Sequence, residues 1–505
     1  MANVTVSNFA PDWLYWGHIQ GSDFGDPSLI TTRTATAFRF TMTTSGDFAN
    51  WTFNVTGTGF TYLTNGSVLE PTAGNITSII IKDAAGHAVL TINGFAAGDR
   101  PDLTELYFNL FNTSSSATPD LSSMFTWLLH GNDTINGSAN SDDLVAGRNP
   151  GNDTINGNGG DDYIKGDAGN DTLNGGADFD TLSYTESFYD PYAYKGINLD
   201  VAAGTVQDCW GGTDTISGFE AYEGSRFADV MTGSDAARER FYGLRGADTI
   251  NGGGGGKEIA AYDRDAEYGG IRGIIANLPA GTIRDGFGQT DHVSNIQRVI
   301  GTMYNDKFTG DAANNQFMGL DGVDSFNGGG GNDVLNFSAN DGHGGLNGVN
   351  VNLNKASAQI IDDGYGNTET ATNFESVQGT MFADTIRLSG VGGYVWAGLG
   401  ADTLSGGAGV DTFEWDLINE FGDTVTNFKS GTDILDFEGL EGQDGVVRFE
   451  NNNHSTLGGP AFYFNAADHK LYYDQDGSGS AFSGIAVATF TGVNSMAAGD
   501  FNILV

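Results

Sequence analysis

The sequence predicts an all-β chain built on a parallel β-roll, a flattened β-solenoid with strand-rich insertions, preceded by a small β-sandwich-like N-terminal domain. Three observations carry this reading. An aspartate recurs every nine residues at Asp133, Asp142, Asp153, Asp162, Asp171 and Asp180, with one step of eleven where Asn149-Pro150 intervenes. An aliphatic residue follows each aspartate by two places, at Ile135, Leu144, Ile155, Ile164, Leu173 and Leu182. Glycines fill the turns between them, Gly131, Gly151, Gly160 and Gly169 among them.

Each element of the roll follows from that beat. A nine-residue unit holds one short strand and one tight turn, so two units make one circuit, and residues eighteen apart stack on the same edge. The aliphatic residue of each unit points inward and stacks with its equivalents into a narrow core. Glycine is required where a turn takes positive φ or where successive turns approach closely. The aspartates, with turn carbonyls, offer the all-oxygen shell that a hard cation such as Ca²⁺ prefers. Aligned carboxylates repel one another without a cation and the core is thin, so folding and metal binding are expected to be one event.

These motifs, exemplified by Gly151-Asn152-Asp153-Thr154-Ile155-Asn156-Gly157, resemble the glycine/aspartate nonapeptide of RTX (hemolysin-type) proteins. The resemblance implies a β-roll binding several calcium ions in a protein secreted by a type I system. Composition agrees: 64 acidic residues against 22 basic give a net charge of −42, and the largest share of the imbalance falls between 129 and 410. Such a surface disfavours nucleic acid and anionic membrane as partners. A halophile's acidic surface or a disordered glycine-rich linker could also be acidic. A linker, however, has no reason to keep an aliphatic residue in register.

A longer period of about 77 residues appears in three copies beyond 183. Gly196-Ile197-Asn198-Leu199-Asp200 recurs as Gly273-Ile274-Ile275-Ala276-Asn277 and as Gly348-Val349-Asn350-Val351-Asn352. Each copy reads as a strand-rich insertion followed by four nine-residue units. The aspartate slot reads Asp229, Glu239, Asp248, Lys257, then Asp306, Asn315, Asp324, Asp333, then Asp384, Gly393, Asp402, Asp411. One edge therefore keeps a pair in every copy: Asp229/Asp248, Asp306/Asp324 and Asp384/Asp402. Gly246, Gly322, Gly400 and Gly409 are the matching turn glycines. Calcium is expected on the paired edge and weakened on the other, most clearly at Lys257, whose ammonium would act as a fixed counter-charge. The apolar slot stays intact throughout, so the coil should persist where the metal does not.

The chain divides on this reading into residues 1–128, 129–183, 184–410 and 411–505. The first segment alternates threonine and aromatics, with Ile79-Ile80-Ile81 and Ala88-Val89-Leu90 flanking a hairpin at Ala84-Ala85-Gly86-His87. Pro119 to Leu129 is helix-like. Trp13, Tyr15 and Trp16 are read as core packing rather than a sugar platform. The last segment ends Asp500-Phe501-Asn502-Ile503-Leu504-Val505, preceded by Gly431-Thr432-Asp433-Ile434-Leu435-Asp436-Phe437. This arrangement is similar to the roll cap and uncleaved type I export signal of RTX proteins, including serralysin-type proteases. It reconciles the lack of a Sec-like leader or membrane-spanning stretch with a calcium-dependent fold.

Catalytic motifs are missing. No H-E-x-x-H or G-x-S-x-G occurs, and the lone Cys209 excludes an internal disulfide framework or a cysteine-rich zinc site. Gly256-Lys257-Glu258 lacks the Ser/Thr of a P-loop, Asp474-Gln475-Asp476-Gly477 lacks the last EF-hand ligand, and His343 reads as a solvated loop residue. The expected function is a secreted, extracellular or cell-surface calcium-binding protein, non-enzymatic, acting in adhesion, matrix or a surface layer. A cell-surface glycan or another copy of the chain is the expected partner, alongside the type I apparatus. The alternative is a hydrolase or lyase with an unfamiliar site in residues 1–128.

Overall fold

A computed structural model describes the strands Asn3–Val6, Ile30–Arg33, Ala37–Thr41, Thr52–Asn65, Val68–Lys82 and Ala88–Asn93. It then describes residues 131–503 except 147–149, 236–237, 358, 438–447, 452–459 and 476–483. The helix-like stretch 119–129 and the aromatic group at Trp13, Tyr15 and Trp16 lie outside the described residues. Two compact units, 1–255 and 256–505, divide the chain. Secondary structure among the described residues is β-strand with short 3-10 turns.

In the first unit the N-terminal strands form an antiparallel sheet, the expected hairpin pairing Ile81 with Leu90. Asn3–Val6 runs antiparallel to Ala88–Asn93 and parallel to Thr134–Asn136, so Val4 stands beside Ile135 and the sheet runs on into the roll. Ile135, Ile155, Leu173 and Ile216 then lie in consecutive parallel register. A second parallel sheet holds Leu144, Ile164, Leu182, Tyr222 and Phe241 in register. Every aliphatic residue of the beat is at most 1% exposed. Alternation with period two delivers this, because one residue in each three-residue strand faces inward and its neighbours face out.

The insertion is an antiparallel excursion built into one sheet. Asn198–Asp200, Thr205–Gln207 and Thr213–Ser217 pair in sequence. The third strand lies parallel to Thr172–Ala177 and the first lies parallel to Val230–Thr232. The chain thus steps forward along the roll, doubles back, and resumes. Leu199, Val206 and Ile216 carry the core through the excursion.

The second unit repeats the device. Ile275–Asn277, Thr282–Arg284 and Thr290–Ser294 form one excursion, and Asn350–Asn352, Ile360–Asp362 and Thr370–Thr372 another. Phenylalanines replace aliphatics in its core: Phe308 stacks on Phe326 at 4.9 Å and an interplanar angle of 5°. At the C-terminal end Phe437 packs on Phe462 at 4.3 Å, and Phe449 on Phe501 at 4.4 Å. Phe501–Ile503 is a final parallel strand on Ile434–Phe437. Asp500 fixes its approach, accepting hydrogen bonds from Ser430 Oγ and the Gly431 and Ala497 amides.

Candidate metal sites

Each aspartate of the beat enters the turn just ahead of a core strand, which fixes its carboxylate at the edge of the roll. The peptide N–H of one aspartate donates to Oδ1 of the aspartate one coil later. Asp153 donates to Asp171 at 2.7 Å and Asp162 to Asp180 at 2.8 Å. Asp229 donates to Asp248, Asp306 to Asp324 and Asp384 to Asp402, all at 2.7–2.8 Å. Glycine is forced where these turns stack. A Cβ on Gly169 would strike the Gly151 carbonyl oxygen, and one on Gly157 would strike Asp162 Oδ2 and the Gly175 carbonyl oxygen. Carbonyl and carboxylate oxygens therefore converge in the cramped space that each glycine leaves open.

The second carboxylate oxygen shows what the arrangement lacks. Oδ2 of Asp162, Asp171, Asp180, Asp324, Asp333 and Asp402 is buried and has no hydrogen-bond partner. A buried carboxylate oxygen without a partner is costly unless a cation meets it. Burial accordingly pushes Asp162 up to about 7, Asp402 to about 8 and Asp171 to about 9, with neighbouring carboxylates adding to the shift. Among the described residues no three His, Cys, Asp or Glu side chains gather around one point. A cation held here must draw much of its shell from turn carbonyls, which suits a hard, oxygen-seeking ion and excludes a zinc-type cluster. The donor set fits calcium. Bound there, the ion neutralises the stacked carboxylates; the chain's part is to preset the oxygens and keep water from them.

The aspartate edge runs further than the nine-residue count. Asp171 donates its N–H to Asp214 Oδ1, Asp180 to Glu220 Oε2, Asp324 to Glu369 Oε1 and Asp333 to Glu375 Oε2. Asp402 and Asp411 donate to Asp423 and Asp433 in the same way. Counting by nines misses these acids because an excursion or longer loop separates them from the beat. Their local signal was available: each stands two places before a core residue, as in Asp214-Thr215-Ile216 and Glu369-Thr370-Ala371. A tyrosine closes one such group, Tyr184 donating its hydroxyl to Asp214 Oδ2 at 2.7 Å.

Two sequence expectations are corrected. Lys257 does not occupy the ligand slot. Ile259 pairs with Arg298 and Ala260 with Val299, as Thr181 and Leu182 pair with Ala221 and Tyr222. Glu258 is therefore the equivalent of Asp180, Ala260 is the core residue, and Lys257 is exposed. The run Gly252 to Gly256 holds one residue more than a regular turn, which displaces the register by one. Glu258 itself is fully buried, with neither carboxylate oxygen hydrogen-bonded. His343 is only in part the solvated loop residue expected: its side chain is 30% exposed, but its ring nitrogens lie 3.1 Å from the Ala339 carbonyl and 3.3 Å from Asp263 Oδ2.

The geometry agrees with a match to one known family. The family described as the RTX calcium-binding nonapeptide repeat matches residues 131–149, 148–182, 234–256, 300–335 and 394–414. This chain carries RTX calcium-binding nonapeptide repeats. Its repeats bind calcium, in several copies. No curated protein matches the chain. Among solved structures, the extracellular lipase LipA from Serratia marcescens is similar at 12% identity over 74% of this chain, with a TM-score of 0.18. The chain spans 38% of the length of that lipase. Among its described residues no helix is long and apolar enough to cross a membrane.

Proposed function

We propose that this RTX chain is exported by a type I system, folds when it meets extracellular calcium, and then serves as a non-enzymatic adhesion, matrix or surface-layer component. One observation carries the reading: buried carboxylate oxygens such as Asp162 Oδ2, Asp324 Oδ2 and Asp402 Oδ2 have no partner. A chain that buries such oxygens in series resists folding where calcium is scarce and folds where it is abundant, which suits passage through a narrow exporter. Asp133, Asp142, Asp153, Asp162, Asp171 and Asp180 are the proposed ligands in the first unit, with Asp229 and Asp248 beyond the first excursion. In the second unit they are Asp306, Asp324, Asp333, Asp384, Asp402 and Asp411, joined by Glu258, Glu369 and Asp423. The terminal strand Phe501–Ile503, docked in the folded state, would be free to act as an export signal in the unfolded one.

Fractionation of a producing culture tests the role. The expected result is a full-length chain outside the cell, retained on cells or matrix in millimolar calcium and released by chelator. A chain that stays inside, or one that is freely soluble in calcium, would overturn it.

A further inference from the structure

The loop that leads into the first excursion carries a group of exposed rings. Tyr189, Tyr192 and Tyr194 are 62%, 82% and 65% exposed, and with Val230 they are the exposed large apolar side chains among the described residues of the first unit. The loop beneath them is fixed. Arg226 Nη2 donates to the Asp190 and Ala193 carbonyl oxygens, each at 3.4 Å. Asp190 accepts the Trp210 indole N–H on Oδ2 at 2.7 Å and the Tyr192 amide on Oδ1 at 2.9 Å. The Tyr194 amide donates to the Cys209 carbonyl at 3.1 Å, and its hydroxyl lies so near Gly211 that a Cβ there would strike it. The tyrosines therefore stand on a preset loop beside Trp210, whose own ring is half-buried.

The other two copies of the long repeat serve as internal controls. Tyr194 stands three residues before the core residue Ile197, and its equivalents before Ile274 and Val349 are Ile271 and Leu346. Tyr192-Ala193 corresponds there to Gly269-Gly270 and Gly344-Gly345. The excursion thus forms without a ring at 192 and with an aliphatic residue at 194. Trp210 differs, because Phe287 and Tyr365 stand at its place in the other copies and an aromatic there belongs to the repeat.

A tyrosine presents an apolar face and a hydroxyl, and a sugar ring matches them with its C–H face and its own hydroxyls. Three rings so exposed offer on the order of 400 Å², about half of what each partner gives to a stable protein interface, so the patch suits a small ligand better than a second copy. The chain's net charge of −42 disfavours an acidic saccharide. We propose that Tyr189, Tyr192 and Tyr194 bind a neutral saccharide, its pyranose C–H faces stacked on the rings and its hydroxyls bonded to theirs. The assignment deepens the adhesion reading and rests on it.

Saturation-transfer NMR and calorimetric titration of the full chain in saturating calcium test the proposal. Cellotetraose and maltotetraose are the neutral probes and tetragalacturonate the acidic one. At least one neutral probe should bind, and tetragalacturonate at least tenfold more weakly. Y192A should weaken binding at least tenfold, whereas Y192F, which keeps the ring, should bind like the parent. L346A, which truncates the equivalent of Tyr194 in the third copy, should leave binding unchanged. Binding of neither neutral probe, equal binding of tetragalacturonate, full binding by Y192A, a Y192F as weak as Y192A, or equal losses in Y192A and L346A would overturn the site. So would sedimentation showing that the parent self-associates in calcium and Y192A does not, which would assign the rings to a second copy. Calcium-induced circular dichroism of the same samples separates the two readings. Normal folding without saccharide binding defeats this site alone, whereas a chain already folded in chelator defeats the calcium reading on which adhesion depends.

Discussion

The peptide N–H of Asp306 donates to Oδ1 of Asp324 at 2.7 Å, and Oδ2 of the same carboxylate is buried with no hydrogen-bond partner. One carboxylate therefore has two duties. Its first oxygen sets the register between successive coils, and its second is left for the proposed cation. The division recurs at Asp162/Asp180 and Asp384/Asp402. It makes the roll's mechanical and metal-binding roles separable by mutation.

D324N and D324A should separate them. Asparagine keeps an acceptor for the Asp306 N–H and removes the buried charge, so the metal-free fold should gain stability while one calcium is lost by elemental analysis. Alanine also orphans the Asp306 N–H, an added cost of about 1–3 kcal/mol read from chemical denaturation. Equal stability of the two variants in saturating calcium would contradict the shared role.

G157A should be far more harmful than G159A. The new methyl at 157 meets Asp162 Oδ2 and the Gly175 carbonyl, neither of which can retreat, whereas at 159 it meets only Ala139 Cα at 4.0 Å. Overpacking of this kind costs about 1–3 kcal/mol. The expected reading is a lower Tm in calcium and a several-fold higher calcium midpoint for G157A, with G159A close to the parent.

Acid should act in opposite directions on the two forms. Burial raises Asp162 to about 7, Asp402 to about 8 and Asp171 to about 9 in the metal-free fold, from an ordinary 3.8. Between those limits the folded chain binds protons that the unfolded chain does not, so this stability is complete below about pH 4 and fades as pH rises through 7 to 9. In chelator, residual structure should therefore increase from pH 8 to pH 5. With calcium present, protons compete for the same oxygens, and the calcium midpoint should rise over the same interval. Circular dichroism at each pH checks both trends.

D500A should loosen the C-terminal cap. Asp500 accepts three hydrogen bonds, from Ser430 Oγ and the Gly431 and Ala497 amides, and holds the entry to the last strand. Its loss should cost about 2 kcal/mol or more and show as faster amide exchange along Ile434–Phe437. Unchanged protection there would argue against the cap.

Much of this architecture is legible in the primary structure because the roll is local. An aspartate and a core residue two places later define one edge and one strand, so Asp171 and Leu173 announce their positions without knowledge of the fold. What escapes is what depends on non-local closure. Asp214 and Glu369 join the ladder only after an antiparallel excursion returns to the sheet, so no fixed spacing reaches them. Glu258 escapes for a different reason. Five successive glycines accommodate an extra residue, and the register beyond them is set by pairing with Arg298 and Val299 rather than by count. The contact between Gln316 and Gln378 is invisible for the same reason, since the two amides are 62 residues apart.

The most direct test is a calcium titration of the chain in chelator-buffered solution, followed by far-ultraviolet circular dichroism. The account predicts a largely unfolded chain without calcium and a cooperative gain of β-structure at roughly 10⁻⁴–10⁻³ M, the range of extracellular calcium modules. A complete β-signature in chelator at neutral pH, unchanged by added calcium, would contradict it.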